Sequence, residues 1–307
     1  MRSFELEDYS PLLSAIESSE LDLILVGGHA VSVYAHRYRR NCPALDVYLP
    51  FRSKDADLIG TVASGMQLAS RLNSQWKKEC YGSLRFLHLV LVPKSPLWLL
   101  AHQATRYDQW KDLSCRAVVE SFRGHQFKVI NPFLLYEAKG TNVVRIDQFT
   151  ESGPRRDRSQ LAIMGIVVHE VLNELASIQG ADRALVKASG RLLKFWLSPD
   201  GAALVRCNLA DPKECLPLQQ FEQHRSASVK NFLTEMLPRF WAKLAESTAS
   251  VPEKIVNKLE SEGAFLRSLA EPKQDHPLST DEFFSQLRQP GEDQSGDSPS
   301  QGRGIKL

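Results

Sequence analysis

The sequence lacks the features of membrane, disulfide-rich and zinc-binding proteins. No apolar run reaches the length of a membrane span, roughly eighteen residues, and the first residues include Glu5, Glu7 and Asp8 where a signal segment would be basic and then apolar. The five cysteines form no C-x-x-C pair and the eight histidines form no H-E-x-x-H motif, which argues against a zinc ribbon or a disulfide framework. We therefore expect a cytoplasmic protein with no membrane partner, in which carboxylates would hold any metal ion.

The chain also has little excess charge of either sign. Its 38 lysines and arginines oppose 36 acidic residues, for a net charge of +2, which argues against a dedicated nucleic-acid coat. Aromatic residues make up only 8% of the chain and are not interleaved with the basic clusters, so sequence-specific RNA reading is not predicted. With 307 residues, 43% of them hydrophobic, the chain has an ordinary globular composition and enough length for about two domains.

The amino-terminal part contains a strand, a glycine turn and a helix in succession. The apolar run Leu21–Val26 predicts a buried strand, which stops at Gly27 and Gly28. Helical spacing returns over His29–Tyr38. The order of elements is therefore strand, turn, helix.

Two readings of the next segment place carboxylates differently. Ala44–Leu49 alternates apolar and polar residues, which predicts a second strand with Asp46 on the face opposite its apolar side chains. Residues 52–57 follow Pro50 and predict a loop, or the start of a helix that continues to Leu72.

The rest of the chain predicts a few more strands and then mostly helices. Leu84–Val92 predicts a strand, Leu97–Trp110 a helix, and residues 116–130 a hairpin that turns at Arg123 and Gly124. The candidate helices after residue 131 are 132–144, 158–178, 181–197, 226–247 and 251–269, with a kink expected at Pro238. We therefore predict three parts: an α/β domain at 1–131, a helical domain at 132–288 and a disordered tail at 289–307.

The glycine turn and the predicted strand carboxylate indicate one kind of chemistry. Glycines between a strand and a helix let a phosphate approach the backbone, and the exposed amides of a helix start favour an anion. A nearby carboxylate such as Asp46 can hold Mg²⁺, which clamps nucleotide phosphates. Gly27, Gly28 and Asp46 together predict a phosphoryl or nucleotidyl transfer site.

These residues also carry a family resemblance. Leu25–Val31, the arginines that follow His36, and Asp46–Leu49 resemble the nucleotidyltransferase superfamily, in which a Gly-Gly or Gly-Ser turn precedes an aspartate-x-aspartate strand. The sequence is similar in particular to bacterial proteins related to abortive-infection and toxin–antitoxin nucleotidyltransferases, and Lys139 and Arg155–Arg158 match their later segment. The resemblance implies an α+β fold, a mixed sheet with flanking helices, followed by a helical carboxy-terminal domain.

The resemblance also implies a ligand set. Gly27 and Gly28 would bind the nucleoside triphosphate together with Lys139 and Arg158, and Asp46 would be the catalytic residue and first Mg²⁺ ligand.

The second aspartate of the family pattern leaves an alternative open. Its position is taken by Tyr48, whose neutral phenol is a poor Mg²⁺ ligand, and the predicted strand Leu84–Val92 contains no third acid. A second register uses Asp55 and Asp57, which keeps two carboxylates as metal ligands. Asp46 is preferred here because of its predicted strand, and the pair Asp55 and Asp57 is the second choice.

Two functions follow from this pattern. The first is Mg²⁺-dependent transfer of a nucleoside monophosphate from a nucleoside triphosphate to a hydroxyl of a protein, an RNA or a small molecule. The alternative is a catalytically degenerate member that keeps the fold and serves as a binding or regulatory protein, such as one partner of a toxin–antitoxin pair. The departure at Tyr48 favours the second, whereas Gly27, Gly28 and Asp46 favour the first.

Overall fold

The computed structural model describes residues 4–17, 21, 23–73, 76–81, 84–91, 95–101, 117–150 and 153–270. Met1–Gly263 form one compact unit, and a second unit begins at Ala264. The predicted division at 131/132 falls inside the first unit and stays a prediction. The predicted tail at 289–307 lies outside the described residues.

The sheet is mixed, as the sequence predicts. The strands are β1 (Phe4–Glu5), β2 (Leu23–Val26), β3 (Arg52–Ser53), β4 (Ala56–Gly60), β5 (Trp76–Tyr81), β6 (Leu84–Leu91), β7 (Ser95–Ala101), β8 (Val118–Phe122), β9 (His125–Val129), β10 (Phe149–Thr150) and β11 (Gly153–Pro154). Among the described residues, one sheet has the order β5-β6-β7-β4-β2-β9-β8. The pairs β4–β7 and β2–β9 are parallel and its other pairs are antiparallel.

Helices flank this sheet and make up most of the described chain after residue 131. They are α1 (Ser10–Glu17), α2 (Gly27–Tyr38), α3 (Val62–Arg71), α4 (Pro132–Arg145), α5 (Asp157–Ser177), α6 (Asp182–Trp196), α7 (Pro199–Arg206), α8 (Pro212–Cys215), α9 (Leu218–Gln223), α10 (Ala227–Asn231), α11 (Leu237–Ala249) and α12 (Glu253–Ala270). The predicted α+β class with a helical carboxy-terminal region is therefore confirmed. None of the described helices is both long enough and apolar enough to cross a membrane.

The centre of the sheet explains the strand, turn and helix order. All four residues of β2 are buried between β4 and β9, because both of its faces are covered. The chain then turns directly into α2, which packs on β4 and on α5. The predicted strand and helix on either side of Gly27 are both confirmed.

The predicted strand at Ala44–Leu49 is wrong. Pro43–Tyr48 form a 3₁₀ helix that begins at Pro43, where the missing N–H of proline costs nothing. Leu45 is fully buried, but Val47 is 79% exposed, so the apolar alternation does not correspond to a buried face.

The segment after Pro50 is extended where a loop or a helix start was predicted. It forms β3 and then β4, in which Ala56, Leu58 and Gly60 are buried while Asp57 and Ile59 are half-buried. The helix α3 begins only at Val62, where the side chain of Thr61 caps its first turn.

Three other predictions have clear outcomes. The helix predicted from Leu97 is wrong over Ser95–Ala101, which is the strand β7, and its remainder lies outside the described residues. The hairpin is confirmed, and Arg123 and Gly124 both have positive φ, as its tight turn requires. The break at Pro238 is confirmed as a π-helical segment, Phe232–Met236, just before α11.

The buried side chain of His29 makes the stability of this core depend on pH. His29 is 0% exposed, its ring packs edge-on against the Tyr9 ring at 4.5 Å between centroids, and neither ring nitrogen has a hydrogen-bond partner among the described residues. Burial lowers the pKa of His29 to about 3. The folded protein therefore holds this ring neutral at pH values where the unfolded chain protonates it.

We expect His29→Leu to make the free energy of unfolding less dependent on pH in the acidic range. Between about pH 6.5 and pH 3 the unfolded state binds one proton more than the folded state. The free energy of unfolding of the native chain therefore decreases as the pH is lowered, by up to about 1.4 kcal/mol per pH unit from this residue. Urea unfolding at several pH values measures the slope. His29→Gln, which does not titrate, should show the same flatter slope at a lower absolute stability, and slopes equal to that of the native chain would contradict this account.

Candidate functional site

The turn between β2 and α2 holds a carboxylate against the backbone. The antiparallel register places Val26 opposite Asp57. Gly27 has a φ of +67°, and a Cβ atom at this position would overlap the Asp57 carboxylate. Two features therefore require glycine at position 27: the backbone conformation and the close approach of the Asp57 carboxylate.

The side chains of Ser53 and Gln160 pack equally closely against Gly28. A Cβ atom there would overlap the Ser53 hydroxyl and would lie 2.7 Å from the Gln160 amide nitrogen. Val26, the residue before α2, has an apolar side chain and provides no capping hydrogen bond to the first amides of the helix. This helix start therefore offers backbone N–H groups and a favourable dipole to an anion.

Two carboxylates stand side by side at this turn. Asp55 immediately precedes β4 and Asp57 lies within it, so the two are one alternation apart and share a face of the chain. Burial, reinforced by the neighbouring Asp55 charge, raises the pKa of Asp57 to about 7, and burial also raises the pKa of Asp55. A positive charge added beside the pair would stabilise the ionised carboxylates and lower both pKa values.

A buried ion-pair cluster supplies positive charge nearby. Lys139 on α4 donates to the Asp157 carboxylate over 3.0 Å, and Arg155 donates to its other oxygen over 2.7 Å. Burial opposes ionisation of Asp157, but Lys139 and Arg155 outweigh it and hold its pKa below the ordinary value. The same two cations act electrostatically on Asp55 and Asp57, so the two groups of charges form one site.

A narrow cleft of about 50 Å³ opens beside Gly28. Arg52 and Arg156 line it from two different segments, together with Ser32 and Gln160. Arg156 donates to the Arg52 backbone carbonyl over 3.1 Å, whereas the Arg52 guanidinium pairs with Glu5 over 2.8 Å. The cleft therefore adds positive charge next to the glycine turn.

The structure brings together most of the residues singled out from the sequence. Gly27, Gly28, Asp55, Asp57 and Lys139 belong to this one site.

Asp46 and Arg158 are engaged elsewhere. Asp46 lies on the exposed 3₁₀ helix and accepts from Arg39 over 2.5 Å, so the preference for Asp46 over the pair Asp55 and Asp57 is not supported by its position. Arg158 donates to the Leu259 carbonyl over 2.6 Å and faces Glu262, which ties α5 to α12.

Sequence reasoning missed one contributor to the site, Gln160, which closes the turn over Gly28. Arg155, which the family resemblance includes with Arg158, holds Asp157. The alternation of Ala56, Leu58 and Gly60 with the half-buried Asp57 is the signal that would have identified β4.

The carboxylate pair fits a magnesium ion that also binds a phosphorylated ligand. In the described part of the chain no cluster of three His, Cys, Asp or Glu residues could hold a metal. Mg²⁺ is commonly bound by one or two carboxylates plus substrate phosphates and water. Asp55 and Asp57 match that donor set, and burial raises the pKa values of both carboxylates despite the opposing charges of Lys139 and Arg155.

The fold and site together define an α+β protein that presents two carboxylates and two cations at a glycine turn. No family model and no curated protein matches the sequence. Among solved structures, the chain is similar to an antigenic nucleotidyltransferase-like protein from Paracoccidioides brasiliensis, with 16% identity and a TM-score of 0.34 over 52% of this chain and 75% of that one. A TM-score of this size is too low to transfer a fold family or an activity.

We expect Asp57→Asn to stabilise the protein in the absence of ligand at pH 8. The folded state holds the extra proton between about pH 4 and pH 7, so the native chain loses stability as the pH rises through that window, and the asparagine removes this penalty. The expected gain in Tm is about 2–4 °C, equivalent to about 1 kcal/mol. Calorimetry checks it, with the exposed Asp46→Asn as a control that should change little; a lower Tm for Asp57→Asn would contradict the strain inferred at the pair.

Proposed function

We propose that this chain binds a nucleoside triphosphate with Mg²⁺ at the Gly27–Gly28 turn and transfers the nucleoside monophosphate to a hydroxyl acceptor. The observation that carries the proposal is the contact between Gly27 and Asp57, with Asp55, Lys139 and the glycine backbone around it. Few ligands other than phosphates bound to a divalent cation use a carboxylate pair, two cations and open helix amides at one place.

Each part of the site has a role in this proposal. Asp55 and Asp57 would hold Mg²⁺, which supplies charge neutralisation for the phosphates when bound. The first amides of α2 bind phosphate oxygens where Gly27 and Gly28 let them approach. Lys139 and Arg155, fixed by the buried Asp157, add positive charge without needing to reorganise.

The second candidate is a protein that binds the nucleotide without transferring it. The strands beside β4 are β2 and β7, and neither sequence contains an acid. The acceptor hydroxyl must lose its proton during transfer, and these strands offer no third carboxylate to receive it. This observation favours a binding or regulatory role, of which a toxin–antitoxin partner stays one prediction.

Calorimetric titration of each nucleoside triphosphate, with and without Mg²⁺, tests the site. We expect Mg²⁺-dependent binding to the native chain and at least about a tenfold loss of affinity in Asp57→Asn, because half of the carboxylate pair is removed.

Asp46→Asn is the matched control, since it removes an exposed aspartate whose ion-pair partner among the described residues is Arg39. It should bind like the native chain. Loss of binding in Asp46→Asn with retention in Asp57→Asn would make Asp46, on the 3₁₀ helix, the metal ligand. No binding to the native chain would overturn the proposal.

Release of pyrophosphate separates the two candidates. The native chain should release pyrophosphate from the triphosphate that it binds when a hydroxyl acceptor is present, and Asp57→Asn should not. Tight Mg²⁺-dependent binding without pyrophosphate release, across protein, RNA and small-molecule acceptors, would support the second candidate and contradict transfer.

A further inference from the structure

A second and much larger cavity lies on the other side of α5. Its volume is about 850 Å³, within the range of small-molecule sites. Apolar walls come from Leu161 and Ile166 on α5 and from Leu209 in the segment after α7. Cys215 and the fully buried Tyr136 also line it. The cavity is therefore large enough and apolar enough for the body of a small organic molecule.

An aromatic ring at this cavity already attracts a cation. Trp241 on α11 is half-buried and lines the cavity. The Lys213 ammonium lies 5.9 Å from the centroid of its ring, and tryptophan is the side chain whose ring face attracts cations most strongly. Lys213 is itself exposed and forms no ion pair among the described residues.

The charges around the ring have mainly the opposite sign. Three carboxylates line the cavity, those of Glu170, Asp211 and Glu214. Within the described part of the chain, the carboxylates of Glu170 and Glu214 have neither an ion pair nor a hydrogen bond. Lys213 is the one lysine or arginine among the lining residues. The electrostatic field of the cavity therefore favours a cationic ligand over an anionic one.

We propose that this cavity binds a small organic cation with a flat apolar body, its charge lying on the Trp241 ring where Lys213 lies in the free protein. The apolar body packs between α5 and the segment after α7, and Glu170 and Glu214 stabilise the charge from the rim. Lys213 then competes with the ligand for the ring.

The cavity is a different place from the proposed nucleotide site. Gly27, Asp55, Asp57 and Lys139 do not line it, and Tyr48 is the residue that it shares with the small cleft beside Gly28. The proposal therefore does not rest on nucleotide binding, and the two can fail separately.

Three phenols that differ in charge test the proposal. Tyramine is a cation, tyrosol is neutral and 4-hydroxyphenylacetate is an anion, while the ring and chain length are similar. In a ligand-observed NMR titration of the full chain, we expect tyramine to bind at least about tenfold more tightly than the other two.

The decisive variant removes a positive charge and should strengthen binding of a cation. Lys213→Met leaves the Trp241 ring open and removes the competing charge, so tyramine affinity should rise about three- to tenfold. Lys243→Met, an exposed lysine on α11 that does not line the cavity, is the matched control and should have no effect.

The acidic rim is tested in the same way. Glu170→Gln combined with Glu214→Gln should weaken tyramine binding, whereas Glu246→Gln, on the exposed side of α11, should not. Asp57→Asn should also leave tyramine binding unchanged, which separates this test from that of the nucleotide site.

Several outcomes would overturn the proposal. Equal binding of tyrosol and tyramine would show an apolar pocket without charge selection. Tight binding of 4-hydroxyphenylacetate that is lost in Lys213→Met would make the lysine an anion anchor. Weaker tyramine binding in Lys213→Met, loss of tyramine binding in Asp57→Asn, or no binding of any of the three probes would each contradict it.

Discussion

The contact between Gly27 and the Asp57 carboxylate is the constraint on which the rest of the site depends. It exists because β2 and β4 pair in the one register that places Val26 opposite Asp57. A side chain at Gly27 would displace the carboxylate, and a shift of one residue would turn Asp57 to the other face of the sheet. The buried residues of β2 and β4 fix that register, so the hydrophobic core determines where the charges of the site lie.

The three carboxylates at this turn are neutralised unevenly by the nearby cations, and this lowers the stability of the protein without ligand. Asp157 is stabilised by Lys139 and Arg155, which makes it a buried anchor for the two cations. Asp55 and Asp57 receive only longer-range help from the same cations, and burial raises their pKa values. A protein that keeps two such carboxylates gives up stability without ligand, which is typical of binding sites.

The helical part contributes differently from the sheet. The start of α5 supplies Asp157 and Gln160 to the glycine turn, and later residues of α5, such as Ile166, line the large cavity. Trp196 and Trp241 have similar helical spacing in the sequence, yet Trp196 is fully buried while Trp241 faces the cavity. Periodicity assigns a residue to a face of its helix, but only the packing of other helices decides whether that face is closed.

The sequence by itself determined the order of strand, glycine turn and helix, the hairpin at Arg123 and Gly124 and most of the helices after residue 131, because these follow from local periodicity and turn chemistry. It did not determine which aspartates meet the turn. Asp46 had the better local pattern, but Pro43 starts a 3₁₀ helix there, and β4 forms after Pro50 because β2 and β7 provide partners on both sides. Strand pairing joins residues far apart in the chain, so only the tertiary structure could bring Asp57 to Gly27 and Lys139 to Asp157.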